Sequence, residues 1–299
     1  MVVKENKEEN NKNNLSFFTS FLKSNITISG KQLHIQNTVE FPVKHVFVVM
    51  GKAAAYAHWY KTIPSNVRLV FGAYDTNETC QMPSMSDKLK ECLFILGTTW
   101  SVGRNLLVQH VQKTLTPAVT FITLADADIQ LRCGDSDCIE SWIIFLEQTN
   151  APAAFLIGDG FFKSAPNTMF QSDSFDAAFN AFHIDAINTV LPYETKFDDI
   201  SWWICQAVLW QRIHCFAPVY ALAPLNIFYE NPSHDPYPRG RDRDKEIQSQ
   251  RDFVTAQNLS MPLPSVEYTD NWNMEHVIPI SYMNWTNICR ANTYISVDK

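Results

Sequence analysis

The sequence predicts an α/β fold, a mostly parallel sheet with helices on both faces. Apolar, β-branched runs such as VKHVFVVM and VRLVFGAY recur along the chain, which is how a strand buried on both faces reads. Helix-length stretches separate these runs, long enough for the crossovers that parallel neighbours need. With 46% apolar and 13% aromatic against 18% charged residues, the 299-residue chain has material for a self-sustaining core.

The elements follow in order. MVVKENKEENNKNN, residues 1–14, is polar and reads as a disordered tail before a single domain over 15–299. Leu15–Phe21 reads as a short helix or hairpin edge. Val43–Met50 is the first strand, ended by Gly51; Ala53–Tyr60 is helical; Val67–Tyr74 is the second strand and closes on Asp75. A connection containing Pro and Ser leads to strand Glu91–Leu96. Helix Ser101–Thr114 follows, with an apolar face of Val102, Leu106, Leu107 and Val111. Strand Val119–Leu124 stops at Ala-Asp-Ala-Asp. Helix Asp137–Gln148, with Ser136 as its N-cap, then leads to strand Ala153–Ile157. From Lys245 onward the chain is richer in Pro, Asn and Trp and loses periodicity, which reads as an irregular C-terminal layer.

Composition excludes several classes. Lys plus Arg is 24 and Asp plus Glu is 31, a net charge of −7, and the folded part has no dense basic tract, so a nucleic-acid backbone binder is not expected. The start of the chain lacks the apolar core of a secretory signal, and no stretch reaches the roughly 18 apolar residues of a membrane span. A soluble, cytoplasmic protein without a membrane span is the expectation. Seven cysteines, an odd number with several inside apolar segments, point to reduced thiols rather than a disulfide framework. Cys133-x4-Cys138 and Cys205-x9-Cys215 lack the paired C-x2-C spacing of structural zinc sites. Absence of G-x-S-x-G, G-x-G-x-x-G and Walker patterns counts against α/β-hydrolases, dinucleotide oxidoreductases and P-loop NTPases.

In an open parallel sheet, ligands bind beyond the carboxyl ends of the strands. Within Thr120–Ile129 an apolar strand delivers Asp126 and Asp128, and period-2 geometry would point both carboxylates to one side. Two hard oxygen ligands with open positions suit Mg²⁺ or Mn²⁺ on a diphosphate; the plain alternative is a solvated turn. Thr98–Asn105 (TTWSVGRN) sets Gly103, Arg104 and Asn105 in the first turns of a helix, where they could hold a phosphate or orient a sugar. The structural alternative there is an arginine paired with a neighbouring carboxylate. In KFDDISWWICQAVLWQR, Asp198 or Asp199 caps a helix carrying Ile200, Trp203, Ile204 and Val208. Functionally, one of these aspartates could accept a proton while an aromatic ring stacks on a sugar. The loop Asn231–Arg243 (NPSHDPYPRGRDR) holds His234, a candidate metal ligand, and Arg239, Arg241 and Arg243, which could meet phosphates or form exposed salt bridges.

The order strand, D-x-D, helix, strand, Asp-helix, His loop resembles that of GT-A glycosyltransferases. More narrowly, GRN at Gly103–Asn105, the Asp run at Asp126–Asp128, DDI…Q…LW at Asp199–Trp210 and N-x-x-H at Asn231–His234 are similar to STELLO-like proteins. They are similar also to the soluble glycosyltransferases, xylosyltransferases among them, that large algal viruses encode for capsid glycans. The likeness spans about Val43 to Arg243; DAD stands where STELLO-like chains carry a longer acidic run, and the membrane anchor those chains carry is not expected here.

This resemblance implies a GT-A-like, mostly parallel Rossmann-like sheet flanked by helices, with residues 43–130 as nucleotide-sugar half and 131–299 as acceptor half. It implies Mn²⁺ or Mg²⁺ on Asp126 and Asp128 with His234 as third ligand. A UDP-sugar donor would lie against Gly51, Asp75, Arg104 and Asn105, and a glycan or glycoprotein acceptor against Trp202, Trp203 and Arg239. Asp199, with Asp198 as its rival, is then the base of an inverting transfer of xylose or another UDP-linked pentose or hexose. Two other readings share these features. A sugar nucleotidyltransferase normally has a Gly-rich strand-end loop, whereas Met50-Gly51-Lys52 is poor in glycine; a non-catalytic carbohydrate-binding or scaffold protein would keep the fold without turnover.

Overall fold

Every residue of the first strand, β1 (His45–Gly51), is buried, because helices cover both faces of the sheet around it. In the computed structural model the described residues are 42–75, 80, 89–134, 137–158, 168–172, 175–198, 202–213, 215–217, 221–231, 248, 252 and 277–287. The 1–14 tail and Leu15–Phe21 lie outside them. After β1 come a 3-10 turn (Ala53–Ala55), α1 (Tyr56–Thr62), β2 (Arg68–Ala73), β3 (Lys90–Phe94), α2 (Trp100–Lys113) and β4 (Phe121–Asp126). Then follow β5 (Gln130–Cys133), α3 (Cys138–Thr149), β6 (Ala153–Phe155), β7 (Ile157–Gly158), β8 (Thr168–Ser172), β9 (Phe179–His183) and α4 (Ile184–Val190). The remainder is α5 (Trp202–Ile213), β10 (Phe216–Ala217), β11 (Ala221–Pro224), β12 (Ile227–Glu230), β13 (Val277–Pro279) and β14 (Thr286–Asn287).

The main sheet has nine strands in the order β13-β8-β11-β6-β9-β4-β1-β2-β3. β1 pairs in parallel with β2 and β4, and β2 with β3, so the first half of the chain is the β3-β2-β1-β4 parallel arrangement. β9 is antiparallel to both β4 and β6, β11 is parallel to β6, and β8 is antiparallel to β11 and β13. Strands other than β8 and β9 therefore share one direction, as expected of a mostly parallel sheet. Such a sheet is compatible with a Rossmann-like fold.

Alternate residues of β1 feed two cores. Val46, Val48 and Met50 join Trp100, Leu107 and Val111 of α2, Ile187 of α4, and Leu209 and Ile213 of α5. Phe47 and Val49 join Tyr56 and Trp59 of α1 and Trp142, Phe145 and Leu146 of α3 on the opposite face. Burial on both faces is why the strand reads as one continuous apolar run.

Several expectations need correction. Helix α3 is capped by Asp137, which accepts from the backbone N–H groups of Ile139 (2.9 Å) and Glu140 (3.1 Å); Ser136 lies outside the described residues. The run Ala153–Ile157 is divided at Leu156 between β6 of the main sheet and β7 of a three-stranded sheet, β5-β12-β7. Where it is described, the C-terminal layer is tied in by strands: β13 pairs with β8, and β14 with β10. Trp285 Nε1 donates to the Asn150 carbonyl at 2.6 Å, and its ring meets those of His183 and Phe216.

The expectation of reduced thiols is also overturned. Cys80 is disulfide-bonded to Cys92 and Cys133 to Cys138, and Cys215 is disulfide-bonded as well, whereas Cys205 is a buried thiol outside these bonds. An odd number of cysteines is compatible with disulfides, so the count could not exclude them. The Cys133–Cys138 pair occupies the C-x4-C spacing weighed as a metal motif, with Cα atoms 5.5 Å apart, ordinary disulfide spacing. No helix among the described residues is long and apolar enough to cross a membrane.

His45 and His183 lie at the amino end of β1 and the carboxyl end of β9. Both are buried and flank Phe121, one stacked at 5.8 Å and the other edge-on at 5.1 Å. Burial pushes both imidazoles below their ordinary value, against the opposing pull of Glu147 on His45 and of Asp185 on His183. Neutral imidazole is thus favoured by folding. This contribution is fully present above the unfolded value of about pH 6.5 and is lost as pH falls through the folded values. The expected outcome is a Tm that declines between about pH 7 and pH 5, with His45→Phe flattening part of that decline in circular-dichroism melts.

Candidate functional site

The chain leaves β1 toward β2 and β3 on one side, then crosses back through α2 to β4 on the other side of β1. A crevice opens beyond the carboxyl ends of strands at such a switch of direction. Strand β4 ends at Asp126, and Ala127 and Asp128 form a turn before β5. Only the first of the two aspartates is therefore on the strand, and the period-2 argument for a shared direction stops at Asp126. Tertiary contacts impose this turn. Ala127 N–H donates to the Met50 carbonyl at 2.9 Å, and Trp59 Nε1 donates to the Ala127 carbonyl at 3.1 Å.

Gly51 is explained by the same packing, since a Cβ there would lie 2.1 Å from Cβ of Ala127. It admits the close approach of two strand ends. Asp75, exposed after β2, accepts from the backbone N–H of Ala53 at 2.8 Å and ties the β2 end to the turn after β1.

GRN lies one turn into α2, whose N-cap is Thr99. A Cβ on Gly103 would meet Met50 Sδ at 2.8 Å, so glycine lets the helix lie against β1. Arg104 is 1% exposed. Its Nη2 donates to Oδ1 of Asp126 at 2.8 Å, and its Nη1 donates to the Ala177 carbonyl at 2.7 Å and the Tyr193 hydroxyl at 3.0 Å. The guanidinium also lies 4.2 Å from the Trp100 ring centroid, and Trp100 Nε1 donates to the same Asp126 Oδ1 at 3.0 Å. Burial alone would depress the Arg104 guanidinium, but the Asp126 carboxylate and Tyr193 hydroxyl outweigh it and hold Arg104 above its ordinary value. Asn105 forks onto the backbone of Tyr193, donating to its carbonyl at 2.9 Å and accepting from its N–H at 2.8 Å.

One carboxyl group escaped the sequence reading. Asp176 sits in the irregular segment 175–178 before β9, which begins at the same end of the sheet because β9 runs antiparallel to β4. Each polar backbone group used there has a partner. The Phe175 carbonyl accepts from Gln206 Nε2 (2.6 Å) and Trp210 Nε1 (2.8 Å), and Ala177 N–H donates to Gln206 Oε1 (2.8 Å). The Ala178 carbonyl accepts from Asp126 N–H at 2.8 Å. Gln206 and Trp210 belong to the DDI…Q…LW stretch, so its helical residues hold this segment in place. Burial pushes the Asp176 carboxyl up; the Ala178 N–H draws it down, and the charge of Asp126 adds to the rise. The available signal was a polar SDSFD stretch ahead of the apolar FNAFH.

Asp198 lies in a turn ahead of α5 rather than at its cap. Its carboxylate accepts from the Thr99 hydroxyl and, at 3.4 Å, from the Cys205 thiol. Burial pushes that thiol up to about 12, the Ser101 hydroxyl opposing and Asp198 reinforcing the shift. Asp199, His234, Arg239, Arg241 and Arg243 lie outside the described residues, as do the side chains of Trp202 and Trp203. β12 ends close to this turn: its Glu230 pairs with Gln130 of β5, two residues after Asp128. The structure thus gathers Gly51, Asp126, Asp128, Arg104 and Asp176 at one end of the sheet, with Asp75 at the next strand end and Asp198 over the start of α2.

Among the described residues no group of three or more His, Cys, Asp or Glu side chains is arranged to hold a metal. Asp126 and Asp128 remain as carboxylate donors of the kind hard cations take, a small protein set that suits a cation keeping water and phosphate oxygens in its shell.

No protein-family model matches the chain, and no curated protein does. One solved structure, described as a glycosyltransferase involved in the glycosylation of the major capsid of PBCV-1, is 13% identical with a TM-score of 0.29. The match covers 48% of this chain and 61% of that one, a likeness too distant to define family or activity.

The Asn105 fork yields a direct test. Asn105→Ala removes two hydrogen bonds to the Tyr193 backbone, at an expected cost of about 2 kcal/mol. Urea unfolding measures the cost, and hydrogen exchange should show the Tyr193 amide opening faster while amides of β1 are slowed or quickened only with global stability.

Proposed function

We propose that this chain is a divalent-metal-dependent glycosyltransferase that takes a sugar from a UDP-sugar and delivers it to a hydroxyl of a glycan or glycoprotein. The observation that carries this reading is the acidic turn Asp126–Asp128 at the carboxyl end of β4, beside β1, where the parallel order β3-β2-β1-β4 reverses direction. Switch points of this kind bind nucleotides in doubly wound sheets, and the acidic turn adds hard ligands for a cation on a diphosphate.

In this reading Asp126 and Asp128 hold Mn²⁺ or Mg²⁺, and His234, on the loop departing after β12, is the third ligand. When bound, the cation supplies charge stabilisation to the leaving diphosphate. Asp75 and Gly51 border the nucleotide. Arg104, committed to Asp126, acts on the donor through that carboxylate, whereas Asn105 is committed to the Tyr193 backbone. On the acceptor side Asp199, next to the anchored Asp198, takes the proton of the attacking hydroxyl as its oxygen bonds to the anomeric carbon and the bond to the diphosphate breaks. Trp202, Trp203 and Arg239 border the acceptor, and a xylose or another UDP-linked pentose or hexose is the group moved.

Calorimetry with UDP and Mn²⁺ tests the proposal. Binding that requires Mn²⁺ and weakens at least about tenfold in Asp128→Ala is expected. No UDP binding with Mn²⁺ present, or binding indifferent to Asp128→Ala, would overturn it. Asp128 is the better probe because Asp126 also holds Arg104.

A further inference from the structure

We infer that Trp100 and Arg104 are positioning residues: by both donating to Oδ1 of Asp126 they leave Oδ2 as the oxygen that serves the divalent cation of a nucleotide sugar. This rests on the proposed function and assigns a role at that site to two side chains that touch neither sugar nor phosphate.

The hydrogen-bond pattern carries the inference. Arginine and carboxylate commonly pair as a two-pronged fork that uses both carboxylate oxygens. Here the guanidinium instead spreads its donors over three acceptors, the Ala177 carbonyl, the Tyr193 hydroxyl and Oδ1 of Asp126. A second donor, Trp100 Nε1, lands on that same Oδ1 at 3.0 Å. No hydrogen bond reaches Oδ2 among the described residues. Trp100 and Arg104 are four residues apart on α2, hence on one face one turn apart. Their 4.2 Å cation–π contact fixes each relative to the other.

The carboxylate is thus held by one oxygen from one rigid helix, with Asp126 N–H bonded to the Ala178 carbonyl behind it. Partners that orient a metal-binding carboxylate in this way typically govern affinity by 10- to 100-fold. A staple with a purely structural purpose gains from both oxygens. Loading two donors on one sacrifices part of that gain and keeps the other in reserve.

The test measures Mn²⁺ binding in the presence of UDP, by calorimetry and by the electron paramagnetic resonance of free Mn²⁺, for the full chain and for Trp100→Phe, Arg104→Lys and Tyr193→Phe. Trp100→Phe keeps a ring over Arg104 but loses the N–H, and Arg104→Lys keeps the charge but not the spread of donors. Each is expected to weaken Mn²⁺ about tenfold. Tyr193→Phe removes a partner of Arg104 that does not touch Asp126, and should lower Tm without altering Mn²⁺ affinity. Unchanged affinity in Trp100→Phe and Arg104→Lys overturns the inference while leaving the proposed function standing, and Arg104→Lys decides alone if Trp100→Phe does not fold. An equal loss in Tyr193→Phe overturns it too, since the effect would then be general loosening. Failure of the unaltered chain to bind Mn²⁺ with UDP defeats the proposed function, and the inference with it.

Discussion

The pairing of Arg104 with Asp126 is the constraint around which this end of the molecule is arranged. A guanidinium 1% exposed carries a desolvation penalty of several kcal/mol unless its charge and its N–H groups are met. The chain meets the charge and both Nη groups with a carboxylate from β4, a carbonyl from the segment before β9, a phenol from the segment after α4, and the face of Trp100, while Nε has no hydrogen-bond partner among the described residues. Four stretches of sequence far apart in the chain are thereby brought to one point. Loss of either charge leaves the other stranded, so the pair specifies geometry more than it adds net stability.

The antiparallel strand β9 makes this convergence possible. A further parallel strand beside β4 would begin at the opposite end of the sheet, and its entry segment would lie far from Asp126. Reversed, β9 starts where β4 stops, with Phe179 opposite Ala125. The segment 175–178 then passes Asp126, pinned by Gln206 and Trp210 from α5. On the other core face the small β5-β12-β7 sheet does a similar service, setting the end of β12 beside the chain that has just left Asp128. The acidic turn is thus bordered by the segment 175–178 and by the end of β12.

Much of the sheet was legible because burial on both faces leaves a strong mark: β1, β2 and β4 are mostly apolar along their length. The residue types at the strand ends were legible too. Their destinations were not. Whether Arg104 faces a phosphate or a carboxylate depends on Asp126 and Tyr193, distant in sequence, and local spacing carries no information about that choice. The direction of Asp128 depends on a turn imposed by Met50, Trp59 and Gly51. Strands of two to five residues such as β7, β9 and β12 hold their shape by pairing alone, too short for a periodic signal. Asp176 was hidden for that reason, lying in a polar stretch whose strand went unrecognised. The cysteines misled for another: reduced and paired thiols use the same apolar positions.

Arg104 and Asp126 act as one unit, and a double-mutant cycle measures that most directly. Urea unfolding of Arg104→Met, Asp126→Asn and the double variant should show each single change costing about 3 kcal/mol or more. The double should cost less than their sum by on the order of 2 kcal/mol, the coupling of a buried pair. Costs that simply add, with a coupling near zero, would contradict the account.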